Sequence, residues 1–154
     1  MIGEGDSAPD FTLQGVSGDG EEVTVTLSEI DEPVALYFYP KDDTPGCTTQ
    51  ACGIRDEWSV LENADARILG VSPDDIPSHR KFSEKYDLPF TILSDPEGEV
   101  AEAYGVWKEK KMFGNTFMGV ERSTFIIDGD GRVTDVWRKV KAKKHTDQLL
   151  EVLA

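Results

Sequence analysis

The sequence predicts an α/β fold in which a mixed central sheet is flanked by helices, and three observations predict it. The apolar run 34–39 reads as a buried strand, and it is followed by a helical segment and by the apolar run 68–72. Strand, helix and strand in that order imply a parallel pair with a right-handed crossover. Further along, the β-rich segments 123–128 and 133–137 flank the turn residues 129–131, which indicates an antiparallel hairpin.

The N-terminal part of the chain predicts a second hairpin. Residues 11–13 and 23–27 alternate in polarity or carry β-branched side chains, and the glycine-rich residues 15–20 lie between them. We therefore expect an N-terminal β-hairpin that extends the central sheet.

Helical patterns occupy most of the remaining chain. The first predicted helix runs from about residue 47 to residue 61, and the second covers residues 76–86. A short strand at 90–93 precedes a brief helix at about 100–104, and a final amphipathic helix covers residues 145–153. Helices on both faces of a mixed sheet form a thioredoxin-like arrangement.

Length and charge limit the classes of function. The 154 residues fit one domain, 1–154, and the net charge of −14 argues against nucleic acid and anionic membranes as partners. The basic run 139–144 is short, and we interpret it as a solvated face. The N-terminus lacks a basic region and an apolar stretch, so a cytoplasmic protein with reduced thiols is expected.

The chain contains two cysteines, Cys47 and Cys52, which lie five positions apart after a buried strand and a loop rich in proline, aspartate and glycine. This order places Cys47 in the first turn of a helix. Unpaired backbone N–H groups and the helix dipole stabilise an anion there, and cysteines in such positions ionise more readily than usual. We therefore predict a reactive thiolate at Cys47 at neutral pH.

Other interpretations of the cysteine pair remain open at this point. A free cysteine often serves only as a small buried hydrophobic residue. A zinc site is disfavoured because it normally needs four clustered ligands, whereas His79 and His145 are isolated. The spacing is also not C-x-x-C, which disfavours direct disulfide exchange without excluding it.

Residues around Cys47 follow a recognisable pattern, in which Pro40, Thr44 and Cys47 match Pro-x-x-x-Thr/Ser-x-x-Cys and Arg122 lies far downstream. With the flanking segments 8–13 and 119–128, the chain resembles the peroxiredoxins, and most closely their bacterioferritin-comigratory or PrxQ branch. The resemblance covers nearly the whole chain, and Cys52 matches the position of that branch's resolving cysteine.

The resemblance implies a role for each of these residues. Cys47 is the nucleophile that attacks the peroxide, and Cys52 condenses with the resulting sulfenic acid to form a disulfide. The Thr44 hydroxyl faces the peroxide, although a helix N-cap is its alternative role. Arg122 holds the sulfur and a peroxide oxygen, although it could instead be a surface residue. Pro40 shapes the loop and screens the site from water.

The resemblance also implies substrates and partners. The substrates are hydrogen peroxide and organic hydroperoxides, the reductant is thioredoxin or sometimes glutaredoxin, and the role is antioxidant defence. No bound metal, flavin or haem is implied, and a monomer or weak homodimer is expected. A thiol–disulfide oxidoreductase and a non-enzymatic redox-sensing module are the alternative functions.

Overall fold

The central element is a seven-stranded sheet. The computed structural model describes residues 2–153, so the end positions 1 and 154 of the predicted domain lie outside the described residues. The strands are β1 (Thr12–Val16), β2 (Glu22–Thr26), β3 (Val34–Phe38), β4 (Arg67–Ser72), β5 (Thr91–Ser94), β6 (Trp107–Met112), β7 (Asn115–Val120), β8 (Ser123–Ile127) and β9 (Val133–Trp137). Seven of them form the central sheet, in the order β2-β1-β5-β4-β3-β8-β9.

The pairing within the sheet is mixed, as the sequence predicts. Strand β3 runs parallel to β4 and antiparallel to β8, and β4 runs parallel to β5. The predicted N-terminal hairpin is β1 paired with β2, and β1 joins the sheet beside β5. The predicted C-terminal hairpin is β8 paired with β9.

Five α-helices lie in the described part of the chain: α1 (Pro45–Asp56), α2 (Trp58–Leu61), α3 (Ile76–Tyr86), α4 (Glu99–Ala103) and α5 (Ala142–Leu153). The prediction of one helix over 47–61 is wrong, because Glu57 leaves helical geometry at φ −103° and ψ 16° and separates α1 from α2. The acidic Asp56 and Glu57 at the carboxyl end oppose the helix dipole there. No helix within residues 2–153 has both the length and the apolar character that a bilayer span requires.

Strand β3 is completely buried and divides the core into two halves. Ala35 and Tyr37 face a cluster that includes Cys47 and the apolar sides of α1, α3 and α5. Leu36 and Phe38 face the opposite cluster, which α4 and the N-terminal segment cover. Because successive side chains of a strand point to opposite faces, burial of every residue in β3 requires these two layers.

The β6–β7 hairpin was not predicted from the sequence. It forms a separate two-stranded sheet, and its turn residues Phe113 and Gly114 have φ values of 52° and 80°. Positive φ at both positions is typical of a tight type I′ hairpin turn. Strand β6 carries four consecutive charged residues instead of a buried alternating pattern, so the sequence signal for a strand is weak.

Candidate active site

Cys47 lies in the first turn of α1, where the sequence places it. The chain leaves β3, turns through residues 39–43 and enters the helix at Thr44, whose backbone is extended at φ −98° and ψ 155°. Pro45 occupies the first helical position, which its fixed φ and missing N–H suit. Cys47 is only 1% exposed, so its sulfur lies at the helix N-terminus within the protein interior.

Arg122 directly contacts the sulfur of Cys47. Its Nη2 lies 3.4 Å from Cys47 Sγ, and its Nη1 donates to Gln50 Oε1 at 2.6 Å. The register of the sheet explains this approach, because Ser123, the next residue, pairs with Phe38 at the end of β3. Gly46 leaves room for this approach, since a β-carbon built at this position would lie 2.9 Å from Arg122 Nη2.

Gln50 is a site residue that was missed from the sequence. It is fully buried, its Oε1 accepts from Arg122, and its Nε2 has no hydrogen-bond partner among residues 2–153. Because Gln50 lies three positions after Cys47 on the same helix, the two side chains share one face. The three-residue spacing from Cys47 is the sequence signal that could have identified Gln50 as a site residue.

Lys110 on the unpredicted hairpin adds a second positive charge close to the site. Burial, and then the charge of Arg122, lower the pKa of Lys110, while the nearby Cys47 opposes the shift. The hairpin therefore contributes to the electrostatics around Cys47, and the weak strand signal of β6 hid this contribution.

Thr44 and Pro40 lie in the segment that leads from β3 to α1. The Thr44 hydroxyl donates to the Lys41 carbonyl at 2.8 Å and forms no hydrogen bond to the helix backbone, so the side-chain N-cap alternative is wrong here. The Thr44 carbonyl instead accepts from the N–H of Thr48 at 2.8 Å. Pro40 is half-buried two residues after the end of β3.

Cys52 lies on the same helix as Cys47, and both thiols are free. Partial burial raises the pKa of the Cys52 thiol above its usual value. In a regular helix, residues five apart have Cα atoms about 9 Å apart and point about 140° away from each other. A disulfide needs Cα atoms within about 7 Å, so α1 keeps the two cysteines separate.

Buried aromatic rings lie in the same core cluster as Cys47 and include Tyr37. Burial, and then the charge of Cys47, raise the pKa of Tyr37 well above its usual value, so its phenol stays protonated. The Tyr37 ring packs against the ring of His145 with centroids 5.2 Å apart. His145 is fully buried, and its Nε2 lies 2.8 Å from Thr124 Oγ1.

Burial, and then the charge of Arg122, lower the pKa of His145 from 6.5 to about 3. The unfolded chain therefore takes up a proton below pH 6.5 that the folded protein accepts only near pH 3. The neutral, buried His145 contributes its full share to the free energy of unfolding above pH 6.5. That contribution should be lost as the pH falls from 6.5 towards 3, and the loss should reach on the order of 3 kcal/mol by pH 4. Urea unfolding at pH 7 and pH 4 measures this loss. The His145→Gln variant is the control, and an equal pH dependence in both proteins would contradict the assignment.

Asp42, Asp74 and His79 form one cluster with metal-ligand chemistry, in which one ligand atom of each residue lies within 4.8 Å of the others. Both ring nitrogens of His79 already face protein oxygens, at 2.6 Å from Asp42 Oδ2 and 2.8 Å from the Leu93 carbonyl. Neither nitrogen directs a free lone pair at a common metal position. The cluster is therefore a hydrogen-bond network.

The guanidinium group of Arg122 contacts the sulfur of the buried Cys47, and both residues are carried by a thioredoxin-like fold. This arrangement suits an enzyme that reduces a small oxidant through a thiolate. Residues 4–136 match the AhpC/TSA family, and the chain belongs to that family. The predicted membership of the peroxiredoxins is confirmed.

Curated relatives and solved structures indicate the same branch. The chain is 51% identical over 150 residues to Peroxiredoxin Bcp of Bacillus subtilis, with 97% of this chain and 93% of the relative covered. It is 44% identical over 149 residues to Peroxiredoxin Bcp of Escherichia coli K12, with 97% and 94% covered. A PrxQ mutant of Xylella fastidiosa superposes with a TM-score of 0.88 at 33% identity, over 98% of this chain and 94% of that one.

A Peroxiredoxin Q mutant of Xanthomonas campestris superposes with a TM-score of 0.79 at 39% identity, over 90% of this chain and 88% of that one. The predicted thioredoxin-like fold and the Bcp/PrxQ resemblance are thus confirmed. The protein is a thiol peroxidase of the peroxiredoxin family, whose members use peroxides as substrates and thioredoxin-type proteins as reductants.

Proposed function

We propose that Cys47 is the peroxidatic cysteine and that Cys52 is the resolving cysteine of this peroxidase. The observation that carries the assignment is the 3.4 Å contact between Arg122 Nη2 and the buried Cys47 Sγ. The fixed positive charge and the helix N-terminus both stabilise a thiolate at this position. Cys52 has a raised thiol pKa and no such contact with Arg122, which suits a group that reacts second.

The first step forms a sulfur–oxygen bond and breaks the oxygen–oxygen bond of the peroxide. The Cys47 thiolate supplies the electron pair, and the distal oxygen leaves as hydroxide or alkoxide, which takes a proton to give water or an alcohol. Arg122 is placed to stabilise the charge that develops on the leaving oxygen. Cys47 is left as a sulfenic acid.

The neighbouring residues support this step. Gln50 holds one arm of the Arg122 guanidinium, which fixes the other arm against the sulfur. The Thr44 hydroxyl already donates to Lys41, so its oxygen is available to accept a hydrogen bond from the bound peroxide. Pro40 shapes the loop and screens the site from water.

The second step joins the two sulfurs. The Cys52 thiol attacks the sulfenic acid of Cys47, water leaves, and a disulfide forms before further oxidation of Cys47. An external dithiol then reduces the disulfide and becomes oxidised itself. We propose thioredoxin as this reductant, with glutaredoxin as the alternative, and a single domain that acts as a monomer or weak homodimer. A cytoplasmic location remains a prediction from the sequence.

The burial of Cys47 argues against the thiol–disulfide oxidoreductase, one of the two alternative functions. A protein disulfide has no access to a cysteine that is 1% exposed, whereas hydrogen peroxide is small enough to enter with slight local motion. Consumption of hydrogen peroxide by the purified protein, supplied with a dithiol, tests the proposal. Reduction of protein disulfides without peroxide consumption would support the oxidoreductase, and slow oxidation without turnover would support the sensing module.

Helix α1 must open for the second step. The Cys47–Cys52 bond cannot form within a regular helix, so oxidation should unwind the segment 48–55. Unwinding of the helix near Arg55 would also disturb the hydrogen bond that Arg55 Nη1 donates to the Tyr86 carbonyl at 2.8 Å. We expect amide hydrogen exchange of the oxidised protein to show lost protection in residues 48–55, while α3 stays protected.

A Cys52→Ser protein treated with one equivalent of peroxide is the control for this experiment. It forms the sulfenic acid but no disulfide, so its helix should keep its protection. Equal protection of residues 48–55 in the reduced and disulfide forms, with the bond verified by mass analysis, would contradict the opening of α1.

A further inference from the structure

The loop that carries Pro40 and Thr44 is attached to helix α3 through two neighbouring aspartates. Asp42 is buried, and its Oδ2 accepts from Ser78 Oγ at 2.8 Å and lies 2.6 Å from His79 Nδ1. These contacts are made at the N-terminal end of α3.

The second attachment lies at the opposite end of α3. Asp43 is exposed, and its carboxylate accepts from Lys85 Nζ at 2.8 Å and from Tyr86 OH at 2.7 Å. The two aspartates therefore bind the same helix, but one interaction is buried and the other is screened by water. Asp43 serves as a matched control for Asp42.

His79 is completely buried, and each of its ring nitrogens faces an oxygen. Nε2 lies 2.8 Å from the Leu93 carbonyl oxygen, which can only accept, so this nitrogen carries a hydrogen. The remaining proton lies between Nδ1 and Asp42 Oδ2, on one side or the other.

Three features place that proton on the imidazole. Tyr39 OH donates to Asp42 Oδ1 at 2.7 Å, and Ser78 donates to Oδ2, so two further donors stabilise the carboxylate. Burial, and then the charge of Asp42, raise the pKa of Tyr39 well above its usual value, which keeps the phenol a donor. An imidazole is also more basic than a carboxylate, with reference pKa values of about 6.5 and 3.9.

We propose that His79 and Asp42 form a buried imidazolium–carboxylate pair that positions the catalytic loop throughout the redox cycle. His79 is a positioning residue, because it acts on Cys47 through Asp42 and the loop, and its effect on catalysis rests on the proposed role of Cys47. The partners of the pair lie on α3 and β5 and in the segments that follow β3 and β4, outside α1. Opening of α1 therefore leaves the pair in place.

The surroundings of the pair contain two further titratable groups. Tyr39 faces it from the start of the loop that follows β3. Asp74 faces it from the segment after β4, where Asp74 Oδ2 accepts from the Asp42 N–H and from Ser72 Oγ, each at 2.7 Å. Helix α3 contributes the Ser78 hydroxyl, and β5 contributes the Leu93 carbonyl. These bonds fix Asp42 through both its side chain and its backbone.

The protonation state of the His79 imidazole can be measured by NMR in the protein without any substitution. Long-range proton–nitrogen correlation spectra of the reduced and disulfide forms should show hydrogen on both ring nitrogens of His79 at pH 8. A ring nitrogen without hydrogen in either form at that pH would overturn the proposal. The spectrum of the reduced form does not depend on whether Cys47 reacts with peroxide, so a negative result in that form is distinct from a failure of the proposed function.

The His79→Gln variant tests the positioning role. It leaves the buried Asp42 carboxylate without its cation, so at pH 8 we expect a melting temperature lower by about 6–20 °C. The exposed-pair control, Asp43→Asn, should lose no more than about 2–4 °C at the same pH.

The rate of Cys47 oxidation gives the functional readout. At pH 8 and a temperature at which both proteins are folded, His79→Gln should react about 10²-fold more slowly than the wild type, the cost of a displaced catalytic loop. The ratio of the two rates should narrow as the pH falls from 8 to 6, because protonation of Asp42 removes the uncompensated charge. Equal rates, or a ratio that stays constant with pH, would overturn the positioning role.

Discussion

Replacing Cys47 with serine should abolish peroxide reduction. A serine hydroxyl remains protonated at neutral pH, and neither the helix N-terminus nor the Arg122 contact at 3.4 Å can make it an effective nucleophile toward peroxide. The loss should be complete within the sensitivity of a stopped-flow assay, with the fold unchanged by circular dichroism. Serine is close in size to cysteine, so the variant should keep the packing of the buried site.

Cys52→Ser is the matched control for Cys47→Ser, because it removes the other thiol of the same helix. It should react once with peroxide at nearly the wild-type rate and then stop as the sulfenic acid, which excess peroxide converts to sulfinic acid. Mass spectrometry distinguishes these species. Equal loss of the first oxidation step in both variants would contradict the assigned roles of the two cysteines.

Replacing Arg122 with lysine should slow the oxidation of Cys47 by about 10²–10³-fold. Lysine keeps the positive charge, but its single ammonium group lacks the planar fork that reaches Cys47 Sγ and Gln50 Oε1 from two separate nitrogens. Rate constants from stopped-flow mixing with hydrogen peroxide measure this effect.

Arg138→Lys provides the control for the loss of a guanidinium. Arg138 Nη2 donates to the Ile2 carbonyl at 2.9 Å, and its guanidinium lies over the Phe125 ring, away from the sulfur of Cys47. This variant should oxidise at nearly the wild-type rate. Near-native kinetics in Arg122→Lys, with an intact fold, would place Arg122 outside the reacting site.

The sequence was sufficient to predict those parts of the fold that have strong local patterns. Strand β3, the crossover to β4 and the β8–β9 hairpin follow from apolar runs and turn residues, and the position of Cys47 in α1 follows from Pro45 after a loop. The β6–β7 hairpin was missed because β6 is charged and β7 is mostly exposed. The break at Glu57 was missed because helical periodicity continues across it.

The contacts of the site depend on register, which a single sequence does not show. Arg122 reaches Cys47 across 75 positions because Ser123 pairs with Phe38, and a different register would have placed it elsewhere. The network of Asp42 and His79 likewise joins residues 37 positions apart. Its members look like ordinary surface aspartates and an isolated histidine until the fold brings them together.

The central claim, that Cys47 and Cys52 form one catalytic pair, can be tested by a single measurement on the tryptic peptide 42–55, which contains both cysteines. Reduced protein is mixed with one equivalent of hydrogen peroxide, quenched with an alkylating agent and digested for mass spectrometry. We expect this peptide to carry no alkyl group and to have lost two hydrogen atoms relative to its dithiol form. Consumption of the peroxide with both cysteines still alkylated, or a bond between two different chains, would contradict it.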